Sequence, residues 1–75
     1  MSEHMYAVLL MSSTSHAIRA EQVLYQAGIP AKLIPVPRHL SSDCGVCIRV
    51  KRSDLQRAQE ALLAAGVEIE AVHSI

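Results

Sequence analysis

The chain has 75 residues, 51% of them hydrophobic, and contains neither Trp nor Phe, so its core must be built from aliphatic side chains. A chain of this length buries only about 60% of the surface that its unfolded form exposes, so we expect one domain, residues 1–75, that oligomerisation would help to stabilise. Seven basic and seven acidic residues balance, which excludes the strong net charge typical of proteins that bind nucleic acid or anionic membranes.

The sequence contains no segment with the length of a membrane span. The longest purely apolar run covers residues 7–11, whereas a span needs about 18 apolar residues, and the N-terminus lacks the pattern of a signal peptide. The two cysteines, Cys44 and Cys47, are too few for the disulfide framework of a small secreted domain. We therefore expect a cytoplasmic protein with reduced thiols.

The basic residues are distributed unevenly along the chain. Six of the seven lie between Lys32 and Arg57, together with only Asp43 and Asp54, and the flanking segments hold the other five acidic residues. We interpret this basic middle segment as a solvated surface, and an anion-binding surface is the alternative.

The first half of the chain predicts a strand, a helix and a second strand. Residues 6–11 are apolar on both side-chain parities, as in a strand that is buried on two faces. Polar N-cap candidates follow at residues 12–15, and apolar residues at helical spacing predict a helix from about residue 15 to residue 27. Residues 31–36 predict a second strand, which we place at a sheet edge because Pro35 lacks a backbone N–H.

The second half predicts a strand, a helix and a strand. In residues 45–51, one face carries Val46, Ile48 and Val50, and the other carries Cys47, Arg49 and Lys51. Ser53 and Gln56 have the spacing of a capping box, and the apolar stripe behind them predicts a helix that ends at Gly66. Residues 67–72 predict a final edge strand.

The resulting order, β-α-β-β-α-β, is typical of an α+β ferredoxin-like sandwich, with a four-stranded antiparallel sheet and two helices on one face. Because the helices cover one face only and the first strand is apolar on both, part of the open sheet face should be hydrophobic. Such patches usually mark partner surfaces. We therefore predict a homodimer through this face, and a monomer with scattered surface aliphatics is the alternative.

The topology also predicts where Cys44 lies. The loop of residues 37–44 ends at the same edge of the sheet as the turn from the first strand into the first helix. Cys44 shares the strand parity of Val46, so its side chain should lean toward the helices and toward residues 12–16.

This neighbourhood favours a reactive thiol. A thiol of ordinary pKa about 8.5 becomes a useful nucleophile when a helix N-terminus or a nearby cation stabilises its thiolate. Arg38, His39 and His16 are the candidate cations, and Gly45 leaves a backbone N–H open to a thiolate or a bound anion. The alternative is that Cys44 is a small buried hydrophobe.

The Cys44-x-x-Cys47 spacing raises the possibility of a redox pair or a metal site. Residues three apart on a strand point to opposite sides, which disfavours a disulfide unless a turn persists through Gly45. Two thiols without further cysteines or spaced histidines are a weak zinc signal, so we expect no metal and no cofactor. The sequence also lacks a nucleophile elbow, and whether the protein is an enzyme stays open, with a carrier or binding protein favoured.

Five segments together resemble the family of selenium/sulfur carrier-like proteins, which are short bacterial domains. The segments are residues 15–17, 20–21, 27–30, 33–38 and 41–45. The proline-arginine, serine-serine and cysteine-glycine elements within them are the most specific part of the resemblance. It implies that Cys44 is the family's cysteine and that Pro37, Arg38, Ser41, Ser42 and Gly45 shape its loop. Cys47 departs from the family pattern and is interpreted as a local substitution.

The resemblance implies a carrier that holds a persulfide or perselenide on Cys44 and passes it between donor and acceptor proteins of sulfur or selenium metabolism. A small regulatory or adaptor module is the alternative, with Cys44 structural. A metal chaperone that uses both cysteines is a third interpretation, and the strand predicted at Val46 speaks against it.

Overall fold

The computed structural model of the protein describes residues 5–40 and 45–75. The chain forms four strands and two helices in the predicted order. They are β1 (Tyr6–Leu10), α1 (Thr14–Gln26), β2 (Ala31–Pro35), β3 (Val46–Lys51), α2 (Leu55–Ala64) and β4 (Ala71–Ser74).

The four strands form one sheet in the order β2-β3-β1-β4, and every neighbouring pair is antiparallel. This confirms the ferredoxin-like α+β architecture. The strand that contains Pro35 lies at one edge, as predicted, because its proline cannot donate a ladder hydrogen bond.

Helix α1 begins one residue earlier than predicted because Ser13 is its N-cap. The Ser13 hydroxyl accepts a hydrogen bond from the backbone N–H of His16 over 3.2 Å, which satisfies one of the donors left unpaired in the first turn. The helix buries Ala17, Ala20 and Leu24 against the sheet. The chain leaves it through Gly28, whose φ of 75° lies in the left-handed region that favours glycine.

The capping box predicted at the start of α2 is wrong. A short 3-10 turn, Arg52–Asp54, precedes the helix, and within the described chain its N-cap Asp54 makes no side-chain capping bond. Gln56 donates instead to Glu60, one turn along the helix, over 3.4 Å. The helix turn that Ser53 should have capped is therefore displaced by the tighter 3-10 turn.

The last strand starts later than predicted, at Ala71 instead of residue 67. Val67 is still tied to the C-terminal turn of α2, because its N–H donates to the Leu62 carbonyl over 2.9 Å. The register pairs Ala71 with Leu10, the last residue of β1, so pairing begins only there. Residues 67–70 therefore connect the helix to the sheet edge.

The main core lies between the sheet and the two helices. Burying side chains of the size of Leu9, Leu24 or Ile48 stabilises the fold by about 1.5–3 kcal/mol each. The buried residues of this core are Ala7, Leu9, Met11, Ala17, Ala20, Leu24, Ile29, Ile48, Val50, Ala58, Leu62 and Val67.

Neither helix of the described chain is long and apolar enough to span a bilayer.

A second, smaller core lies on the open face of the sheet. Its centre is Val8, Leu10 and Cys47, which are 0%, 2% and 0% exposed. The side chains of Ile34, Val36, Leu40, Ala71 and Ile75 pack against this centre, and we call the whole group the open-face cluster. The open face is apolar as predicted, but the chain itself covers its central side chains.

Candidate functional site

The register brings the predicted loop to one edge of the sheet. Leu10, at the end of β1, pairs with Cys47, and Pro35, at the end of β2, pairs with Val46. The ends of β1 and β2 and the start of β3 therefore lie side by side at one end of the strands, which we call the loop edge. The flanks of the predicted loop therefore lie at the same end of the sheet as the turn from β1 into α1.

Three of the predicted site residues lie outside the described residues. These are Cys44 and the two loop serines, Ser41 and Ser42. Their placement, including the predicted lean of Cys44 toward the helices, stays a prediction.

The two flanks of the loop are anchored to the sheet. The backbone N–H of Val36 donates to the Gly45 carbonyl over 3.3 Å, and the N–H of Leu40 donates to the Pro37 carbonyl over 3.0 Å. The Leu40 side chain is half-buried against the open-face cluster. Hydrogen bonds and an apolar contact thus hold both sides of the segment that contains Cys44.

His16 lies at the loop edge, in the first turn of α1, with an exposed side chain. Its Nδ1 is 2.7 Å from the Ser13 hydroxyl and 3.1 Å from the Ser12 hydroxyl. If Nδ1 accepts from a serine hydroxyl, the ring proton is on Nε2, which points away from both serines. The two serines therefore orient the imidazole and leave its other nitrogen for a partner.

Arg38 is exposed in the turn that follows β2. Among residues 5–40 and 45–75, no carboxylate forms a salt bridge with it, so its guanidinium is available to an anion. His39 is the next residue and is also exposed. Arg38, His39 and His16 thus all lie at the loop edge, and their role beside Cys44 stays a prediction.

Gly45 is exposed immediately before β3. A Cβ built on it would meet no atom within 4 Å apart from its chain neighbours. Packing in the described chain therefore does not require glycine at this position, and its carbonyl already accepts from Val36.

Cys47 differs sharply from a carrier thiol. It lies in β3, opposite Leu10 on one side and Ile34 on the other, and its side chain is fully buried in the open-face cluster. The predicted division of β3 into two faces is confirmed, because Ile48 and Val50 belong to the core under the helices. A reagent or a metal ion can reach this thiol only if the cluster opens.

The sequence analysis did not predict a cleft that lies at the other end of the strands, remote from the loop edge. It has a volume of about 480 Å³ and lies between the second half of α1 and the start of β2. Tyr25, 83% exposed, lines it. The one signal for this cleft in the sequence is a tyrosine on the outer face of the predicted helix. The residues that line the cleft with it follow only from how α1 packs beside β2. The lining residues are Glu21, Gln22, Tyr25, Gln26, Ile29, Pro30 and Ala31.

Comparison with known proteins agrees with the resemblance seen in the sequence. The family model described as "Putative Se/S carrier protein-like" matches residues 6–74. No curated protein and no solved structure matched the chain. The matched residues begin with the first residue of β1 and end with the last residue of β4, so they include the whole sheet, both helices and the loop edge. The chain therefore belongs to the Se/S carrier protein-like family.

Proposed function

We propose that the protein carries sulfur or selenium, held as a persulfide or perselenide on Cys44, between a donor and an acceptor protein. The observation that carries this proposal is the contrast between the two cysteines, in a chain that belongs to the Se/S carrier protein-like family. Cys47 is fully buried in the open-face cluster, and by the family resemblance Cys44 is the thiol that meets a partner.

The transfer is an exchange at sulfur that needs no external oxidant. The Cys44 thiolate attacks the terminal sulfur of a cysteine persulfide on the donor, so that a new S–S bond forms to Cys44. The donor's S–S bond breaks, and its cysteine leaves as a thiolate. Attack by an acceptor nucleophile on the terminal sulfur then returns the Cys44 thiolate. A perselenide is passed in the same way.

Two side chains of the loop edge, Arg38 and His16, stabilise an anion on Cys44 in this proposal. Arg38 forms no salt bridge with a described carboxylate, so it can stabilise the anionic thiolate or persulfide. His16, held by Ser12 and Ser13, is the second such group, because its Nε2–H can donate a hydrogen bond to the same anion. By the family resemblance, Ser41 and Ser42 complete the loop around the carried atom.

The same proposal includes the setting in which the carrier works. We place it in the cytoplasm, where a reduced thiol persists, with donor and acceptor proteins of sulfur or selenium metabolism as its partners. We also propose that, when no donor or acceptor is bound, it forms a homodimer through the open sheet face.

The cleft beside Tyr25 favours an adaptor module as a second candidate function. Its volume, about 480 Å³, is within the range of small-molecule sites, and it lies at the edge opposite the loop. In that case a ligand or partner subunit binds at the cleft, and Cys44 is structural.

Intact-mass measurement tests the carrier proposal. The protein is incubated with a cysteine desulfurase and cysteine, and separately with selenocysteine lyase and selenocysteine. The wild type and Cys47→Ala should gain the mass of one chalcogen atom, and folded Cys44→Ala should gain none. Labelling of Cys44→Ala at the wild-type level would contradict the proposal and favour the adaptor.

A further inference from the structure

Three cations share the open face of the sheet, at the end remote from the loop. Lys32 on β2 pairs directly with Arg49 on β3, and Lys51 lies two residues further along the same strand and pairs with Tyr6. The Arg49 guanidinium stacks 4.4 Å from the centre of the Tyr6 ring. A groove of about 180 Å³ runs between these side chains. We call Lys32, Arg49, Lys51 and Tyr6 the basic face.

The basic face has no neutralising partner in the part of the chain that the structure describes. No carboxylate of residues 5–40 or 45–75 forms a salt bridge with Lys32, Arg49 or Lys51, although like charges directly opposite on neighbouring strands destabilise a sheet. The described acidic residues lie on other elements, namely α1, the 3-10 turn before α2, α2 itself, and the segment before β4. The neutral total charge thus conceals a separation of charge between surfaces.

We infer that the basic face docks an acidic surface of a protein partner. This rests on the proposed carrier function and identifies how its donor or acceptor is held. Arg49 is fixed by the Tyr6 ring and keeps the planar N–H edge that binds a carboxylate in bidentate fashion. Lys32 and Lys51, both exposed, flank it as flexible point charges.

The distance along the sheet is compatible with one partner that covers both sites. Arg49 and Gly45 are four residues apart on the β3 side, which corresponds to about 13 Å of extended chain. A standard interface of about 800 Å² per partner extends further than this. A partner held at the basic face therefore reaches the loop edge without a change of fold.

A protein surface fits better than a nucleic acid. Single-stranded nucleic acids bind sheet faces by stacking bases on aromatic rings, but here Arg49 covers the ring of Tyr6. The chain also has no net positive charge to attract a polyanion.

Fluorescence anisotropy with a labelled deca-glutamate peptide at low ionic strength tests the inference. Lys32→Gln/Lys51→Gln should weaken binding about tenfold, as expected for the loss of two surface ion pairs. Arg19→Gln/Arg57→Gln removes the same charge from the helix layer and should change binding less than about twofold. Added salt should weaken wild-type binding. Circular dichroism verifies that both variants are folded.

Two outcomes would overturn the inference. One is an equal loss of peptide binding in both double variants, which would show a general effect of net charge. The other is tighter, Lys32- and Lys51-dependent binding of a labelled deca-thymidine, which would identify a nucleic-acid surface. Cys44→Ala should bind the peptide like the wild type. If the protein binds the peptide but gains no chalcogen atom, only the carrier proposal is contradicted. If it gains the chalcogen atom but its peptide binding does not depend on Lys32 and Lys51, only the docking surface is contradicted.

Discussion

The backbone N–H of Val36 donates to the carbonyl of Gly45 over 3.3 Å, and this bond joins the two flanks of the loop that contains Cys44. It extends the pairing of β2 with β3 by one step beyond Pro35 and Val46. The two flanks of the loop are thus joined to each other at the end of the sheet.

We expect Cys47 to resist alkylation in the native protein, because it is fully buried. In the Cys44→Ala background, iodoacetamide should label the remaining thiol at least about tenfold more slowly in buffer than in concentrated urea, since reaction requires opening of the cluster. Mass spectrometry against time gives both rates. Equal rates in a folded sample would mean that the open-face cluster does not shield Cys47.

Arg38→Ala should slow the alkylation of Cys44 more at pH 7 than at pH 10. At the lower pH the cation is needed to favour the thiolate, whereas at the higher pH the thiolate forms without it. The Cys47→Ala background isolates the signal of Cys44, and Arg52→Ala, an exposed arginine at the opposite edge, is the matched control. Equal slowing at both pH values would indicate a structural effect of Arg38→Ala.

Leu10→Ala should lower the free energy of unfolding by about 2–5 kcal/mol, because Leu10 is 2% exposed and its removal leaves a cavity. Leu63→Ala, at a leucine that is 80% exposed on α2, should change it by less than about 0.5 kcal/mol. Urea denaturation followed by circular dichroism measures both. Similar small effects would show that the open-face cluster is not a packed core.

Ser13→Ala should cost about 1 kcal/mol of stability, because it removes the N-cap of α1. It also removes the closer hydroxyl partner of His16 Nδ1. Ser15→Ala, at an exposed serine within the helix, should cost less. The same urea titration compares them, and an equal cost would show that the cap contributes nothing specific.

The protein should behave as a dimer at micromolar concentration by light scattering. If the open face forms the contact, Ile34→Lys should shift the population toward monomer, because Ile34 is half-buried at the rim of the open-face cluster. Leu63→Lys, on the helix layer, should not. A monomeric wild type across the micromolar range would exclude the homodimer.

Several features that depend on local chemistry were predicted well, and the capping box at Ser53 is the exception. Pro35 placed β2 at a sheet edge, the alternation around Cys47 identified the two faces of β3, and Gly28 and Gly66 marked the helix ends. Each follows from the φ range, hydrogen-bonding capacity or hydropathy of a few consecutive residues.

The features that depend on long-range pairing were predicted less well. The start of β4 at Ala71 is determined by where β1 ends at Leu10. The burial of Val8 depends on Leu40 and Ile75, which approach the open face from distant parts of the chain. At the candidate site, topology was sufficient to bring Arg38 and His16 to the loop edge, whereas the cross-strand placement of Lys32 beside Arg49 required the register.

The position of Pro35 also bears on aggregation. Because the N–H of Val36 points toward β3, the N–H of the preceding residue would point outward, away from the sheet. Proline has no such donor, so the free border of β2 lacks one of the groups that an incoming strand of another molecule needs. This discourages the edge-to-edge stacking that begins amyloid growth, in a small protein that has two sheet borders and few residues to cover them.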